Sequence, residues 1–219
     1  MSAALLYFLP GAGSFAPHVL LEATGMEHEL VRVVRDDDGR PVEPKAYLSL
    51  NPSGRIPTLI WPDGTVQTES AAISLAIAEQ AGRHDLAPAA GDPDRPAFLS
   101  RLVFLTNTVQ VAILRARYPQ RFADGDDARA AVAAHAAHEL AGLRDRCAAW
   151  YADAPFARGD EPGVDDIFLG MLIRWTRLTA EPWWDDPALG ALYDRFHALP
   201  AVAAAREQEG FEVRPPAGT

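Results

Sequence analysis

Two dipeptides in the first third of the chain carry the residue types from which chemistry can be built, Ile56-Pro57 and Glu69-Ser70. Pro57 cannot donate to a sheet ladder, so it must open a strand or stand at an edge. A cis bond there would turn the Ile56 backbone outward, leaving its N–H and C=O for an extended, peptide-like ligand. Ser70 precedes AAISLAIAEQAG, in which Ile73, Ala76, Ile77 and Ala81 recur at helical spacing. It is the expected N-cap, and the amides behind it offer a carboxylate site. A strand edge beside an anion hole suits a small peptide bearing carboxylates. Taken alone, the same features also fit a hairpin followed by an ordinary capped helix.

The elements that must position these residues are short. Apolar runs at 58–61 and 66–68 flank the Pro62-Asp63-Gly64 turn and predict a β-hairpin. Upstream, residues 4–8 read as a strand, 10–14 as a turn, 15–24 as a helix ended by Gly25, and 29–34 as a second strand. A short helix is expected over 44–50. This order predicts an α/β, thioredoxin-like domain over 1–84, in which helix 15–24 supplies the crossover for a parallel strand pair. The Pro-, Gly- and Asp-rich stretch 85–94 reads as a linker, and 95–219 as an all-α domain. There, Phe98, Leu102, Leu105, Val109 and Ala112 form one apolar line on a helix over 96–117, and Leu99, Val103 and Ile113 a second. Further helices are expected over 127–151, 165–178, 187–197 and 201–209.

The string Asn-Pro-x-Gly-x-Ile-Pro-x-Leu at 51–59, with Thr-Glu-Ser-x-Ala-Ile at 68–73, resembles the glutathione-binding signature of the glutathione S-transferases. The resemblance spans nearly the whole chain and implies that family's two-domain fold and homodimer. It implies that Ile56 pairs by its backbone with the cysteinyl unit of glutathione, that Pro57 is cis, and that Glu69 and Ser70 hold the γ-glutamyl end. Residues 6–25 are most similar to the opening of the bacterial beta-class members, with three departures. The beta-class cysteine falls on Gly13, the strand tyrosine on Phe8, and a helical histidine on Gln110; Tyr7 would point to the opposite face of its strand. The cysteine chemistry of that class is therefore excluded. Ser14, at the start of the first helix, remains as the hydroxyl that can donate to a glutathione thiolate. Lys45 matches a lysine near the glycyl carboxylate, Arg40 is a second candidate for that work, and Asn107 and Gln110 can offer amide donors. The family's capping box is reduced here to Gly163-Val164-Asp165-Asp166, and the helix is expected to survive the missing side-chain cap.

The chain has 219 residues, a formal charge of −10 and one cysteine, Cys147. A single cysteine excludes an internal disulfide and, lying on an apolar helix stripe, reads as structural. Without clustered Lys and Arg, nucleic acid is a poor partner. No basic segment precedes the first apolar run and no run is read as crossing a bilayer, so a cytoplasmic location is expected. His18 reads as a packing residue. His135 and His138 share a helix turn without a third ligand, so no metal is expected. Trp183 and Trp184 either line an apolar pocket for a co-substrate or only seal the helical domain. The function expected is thiol activation of glutathione for attack on a small apolar electrophile or for disulfide reduction; the alternative is a glutathione-binding protein that has lost catalysis.

Overall fold

A computed structural model describes residues 3–34, 44–179 and 181–213. The chain forms two compact units, one of residues 1–87 with 199–219 and one of residues 88–198.

The first unit holds a four-stranded sheet in the order β2-β1-β3-β4, with β1 Ala4–Phe8, β2 His28–Arg32, β3 Thr58–Ile60 and β4 Val66–Thr68. Helix α1, Phe15–Thr24, connects the parallel pair β1 and β2, which runs in register Ala4 with His28 to Phe8 with Arg32. The other pairs are antiparallel, Leu6 opposite Leu59 and Leu59 opposite Gln67. Alternation along β1 buries Ala4, Leu6 and Phe8 on one face. Tyr7 faces the other way, as expected, its ring 5.5 Å from that of Tyr47 on α2, Pro44–Leu50. Helix α3, Ser70–Gln80, buries Ile73 and Ile77. Gly25 ends α1 at φ 65°, which glycine adopts without steric cost. Strand β2 begins and ends earlier than expected; past its end Val33 still donates to Phe8 O, and Val34 is exposed.

The last helix corrects the domain reading. Helix α9, Pro200–Glu209, is in the first unit and packs on α1, although the sequence reading put residues 201–209 in the helical domain. The side chain of Glu209 is fully buried and accepts from the Gly11 amide at 2.7 Å, while Phe211 stacks edge-on against Phe15 at 4.8 Å.

The second unit is helical: α4 Arg95–Phe104, α5 Gln110–Arg117, α6 Asp126–Ala148, α7 Val164–Trp175 and α8 Pro187–Ala198. Every residue of α7 is buried, which makes it the central helix. Gly170 on α7 leaves room for the Phe196 ring, which a Cβ would meet at 2.5 Å. Between α4 and α5 the backbone widens into a π turn, Leu105–Val109, that the sequence reading did not foresee. The first apolar line is buried throughout, whereas the second divides, Ile113 buried and Val103 53% exposed.

Within Arg95–Arg117, a helical run of 23 residues, an 18-residue window has a mean hydropathy of 1.5, so by length and composition alone one helix passes for a membrane span where the sequence reading saw none. Ser, Thr, Asn, Gln and the single charge of Arg101 interrupt the apolar letters of that window, which hid the run. Trp183 and Trp184 are buried, Trp184 against Tyr193 at 5.4 Å, as expected of residues that seal the unit. Cys147 is buried as well, and burial pushes its thiol up to about 12.

Candidate functional site

The first unit brings Gly13, Ser14, Ile56, Pro57, Glu69 and Ser70 to one place. The Ile56–Pro57 bond is cis, as the resemblance implies. Ser70 Oγ donates to the carbonyl of Gly13, joining the start of α3 to the turn before α1. A Cβ on Gly13 would stand 3.2 Å from Ile56 O and 3.9 Å from Ser70 Oγ, so the glycine lets these backbones approach closely.

Ser70 is not the side-chain cap that the sequence suggested. It is the first residue of α3, and Glu69 occupies the cap position with φ 69° and ψ 110°. Glu69 is the one non-glycine residue with positive φ among the described residues. Such a conformation costs about 1–3 kcal/mol and clusters at ligand-binding positions. Its side chain is exposed while its carbonyl accepts from Ile73 at 2.9 Å. A carboxylate is thus held out from the turn by strained backbone.

Ser14 is wholly buried, and its hydroxyl is already engaged. Oγ donates to Leu9 O and accepts the Leu9 amide, both at 3.2 Å, and makes no cap bond to α1. The amides of Gly13 and Ser14 have no hydrogen-bond partner among the described residues. They lead into the N-terminus of α1, where donors and the helix dipole favour an anion. Phe8 is buried in the β1 face and supplies no polar group.

A polar network that the sequence reading missed fixes the loop before Ile56. Asn51 Nδ2 donates to Arg55 O at 2.8 Å and to Thr58 Oγ1 at 3.1 Å, and Tyr47 OH bonds both the same carbonyl and the same hydroxyl. Asn51 Oδ1 takes the Ser53 amide and hydroxyl at 3.1 and 2.6 Å. Tyr47, Asn51 and Thr58 are all buried. Buried polar groups satisfied this way specify one backbone geometry. The available signal was the Asx turn written by Asn51-Pro52-Ser53.

Lys45 is placed by its backbone in α2, and Arg40 lies outside the described residues. Asn107, on the π turn, and Gln110, which opens α5, stand in the second unit. His18 is buried as expected, yet it is polar-bonded rather than merely packed, its Nδ1 lying 3.0 Å from Glu209 Oε1. His135 and His138 are exposed on α6.

Known proteins resemble this chain along most of its length. Residues 14–80 match the family described as glutathione S-transferase, N-terminal domain. A GST-like protein of Escherichia coli K12, YncG, is 28% identical over 200 residues, 90% of this chain and 94% of that one. Among solved structures, a sphingomonad glutathione S-transferase complexed with glutathione is 34% identical with a TM-score of 0.78, covering 95% of this chain and 100% of its own. The beta-class glutathione S-transferase of Sphingomonas chungbukensis is 31% identical, also at 0.78, covering 94% and 98%. With the cis Ile56–Pro57 bond, the Ser70–Gly13 tie and this likeness along nearly its full length, the chain belongs to the glutathione S-transferase family.

Proposed function

We propose that the protein binds glutathione at this site and activates its thiol at the N-terminus of α1. The observation that carries the reading is the joining of Gly13, Ile56, Pro57 and Ser70 beside a carboxylate held at positive φ. Ile56 would pair with the cysteinyl unit, Glu69 and Ser70 with the γ-glutamyl end, and Lys45 and Arg40 with the glycyl carboxylate. The thiolate would attack a small apolar electrophile, or a disulfide sulfur in a glutathione-dependent reduction.

The engaged hydroxyl of Ser14 limits its effect. A hydrogen bond to a thiolate is worth about 1.5–3 kcal/mol, and giving up the Leu9 bond costs about 0.5–1.5 kcal/mol. The net, about 1.2 kcal/mol at the midpoints, corresponds to a little under one unit of thiol pKa. The α1 dipole adds ~0.3–1 kcal/mol, which does not depend on the side chain. Ser14→Ala is therefore expected to raise the bound thiol's pKa by roughly one unit or less, with glutathione affinity nearly unchanged. Thiolate absorbance titrated against pH measures this. A bound thiol that titrates like free glutathione in both proteins would leave binding without activation, the second reading, which the Ser14–Leu9 bonding itself favours.

The homodimer and the cytoplasmic location belong to the same proposal. Val103 is 53% exposed and borders a groove of about 490 Å³ with Leu99, Phe104 and Asn107. A second copy covering this line of the 96–117 helix would bury it. Light scattering at dilute concentration is expected to give twice the chain mass, and Val103→Glu to give the chain mass. A monomer in wild-type protein would overturn this. The lone buried cysteine suits a reducing compartment.

A further inference from the structure

We propose that His18, Glu22 and His28 form a binding site for a divalent transition-metal ion, with Zn2+ the best match. The inference does not rest on the glutathione reading. His18 and Glu22 stand one turn apart on α1, and His28 opens β2 beside them. His28 Nε2 lies 3.4 Å and His18 Nε2 3.9 Å from the same oxygen, Glu22 Oε1. All the ligand atoms fall within 4.8 Å of one another. Tetrahedral zinc with bonds of about 2.0–2.1 Å places its ligands about 3.3 Å apart, so the His28–Glu22 edge fits as it stands and the edges to His18 close by an ångström or so.

The outer contacts orient both rings for this task. His28 Nδ1 lies 2.8 Å from Met26 O, and His18 Nδ1 lies 3.0 Å from Glu209 Oε1. A carbonyl and a carboxylate only accept, so each Nδ1 carries its hydrogen and each Nε2 of a neutral ring presents a lone pair. Those lone pairs face Glu22 Oε1, and His18 Nε2 also meets Gln208 Oε1 at 3.2 Å. Acceptors thus converge on one another, and a cation between them resolves the conflict. Imidazoles whose second nitrogen is held by a carboxylate or carbonyl are the usual dress of metal-binding histidine. Among the described residues, Glu22 and Glu209 have ion pairs only with these histidines, so a divalent charge balances the two carboxylates. Two nitrogens and one oxygen favour zinc and its neighbours over magnesium or calcium.

Gln208 donates to Glu22 Oε1 at 2.7 Å, so its amide oxygen or a water can complete the shell. The second-layer Glu209 also takes the Gly11 amide at 2.7 Å. A bound ion would therefore cross-link α1, β2 and α9 behind the turn that carries Gly13 and Ser14.

The test uses the full, untagged chain, stripped with a chelator and free of glutathione, which binds zinc itself. Titration calorimetry with ZnCl2 is expected to give one ion per chain, and Zn2+, unlike Mg2+, to raise Tm. His28→Gln and Glu22→Gln should each weaken Zn2+ binding by about tenfold or more, with unchanged metal-free circular dichroism and unchanged retention on immobilised glutathione. Their side chains are 11% and 21% exposed, so the pair keeps the test decisive if one variant misfolds. No saturable binding, or equal binding by wild type and both variants, would overturn the site and leave protons as the means by which the cluster is satisfied.

Discussion

Glu69→Gly is expected to abolish glutathione binding while making the protein more stable. The backbone of Glu69 sits at φ 69° and ψ 110°, where a side chain is strained. Glycine enters positive φ freely, so relief of about 1–3 kcal/mol of strain should outweigh the added freedom of the unfolded chain, about 0.4–1 kcal/mol. The same change removes the carboxylate proposed to hold the γ-glutamyl ammonium. Loss of one partner of such a charge pair costs about 2–5 kcal/mol, or roughly 30-fold to several thousandfold in Kd. Calorimetry and urea denaturation read the two effects separately. Glu69→Gln, which keeps the strain, should weaken binding at unaltered stability. Binding that survives both substitutions would remove Glu69 from the site, and a loss of stability in Glu69→Gly would show that its conformation is not strained.

Asp166→Ala is expected to cost the second unit about 3–5 kcal/mol, the largest stability effect anticipated for a single position. Its carboxylate supplies the half of the capping box that needs no side chain at Gly163. Oδ2 accepts the Gly163 amide at 2.8 Å, and Oδ1 accepts Tyr151 OH at 2.9 Å and the Ala157 amide at 3.0 Å. All these donors would be left unsatisfied at the start of a fully buried helix. Asp166→Asn keeps one acceptor but turns a donor toward Gly163, so its loss should be smaller. Burial, then the adjacent Asp165 charge, pushes the Asp166 carboxyl up to about 6, although the Gly163, Ala157 and Tyr151 donors oppose the rise. The folded state therefore holds its proton at pH values where the unfolded chain, near ~3.9, has released it. Stability from this group is complete below about pH 4 and falls as pH rises to about 6. Urea midpoints across that window should show the decline in wild type and its absence in Asp166→Asn. A flat wild-type profile would mean that the donors hold Asp166 ionised throughout.

These two residues mark different degrees of legibility. Asp166 was readable as a capping residue because a cap is a local device: it acts across three positions of one helix start. The same holds for the first strand and helix and the hairpin turn, whose signals lie in adjacent letters, whereas the cis Ile56–Pro57 bond was implied by the family resemblance. The apolar line from Phe98 to Ala112 was likewise legible, since helical periodicity needs no knowledge of the partner. The strain at Glu69 was not. Ser is so often an N-cap that Ser70 drew the cap assignment, whereas its hydroxyl is spent on Gly13, 57 positions away in sequence.

The sequence alone determined the order of elements, the family and the stretch that forms the candidate site, because these depend on periodicity, turn chemistry and a contiguous motif. Only the tertiary structure decided where the hydrogen bonds of that stretch go. It committed the Ser14 hydroxyl to Leu9, gathered Tyr47, Asn51 and Thr58 behind Ile56, and brought α9 onto α1 so that Glu209 meets Gly11 and His18. Donors and acceptors compete for partners across the whole folded chain. A pairing separated by 198 positions, as between Gly11 and Glu209, leaves no periodic trace in the letters.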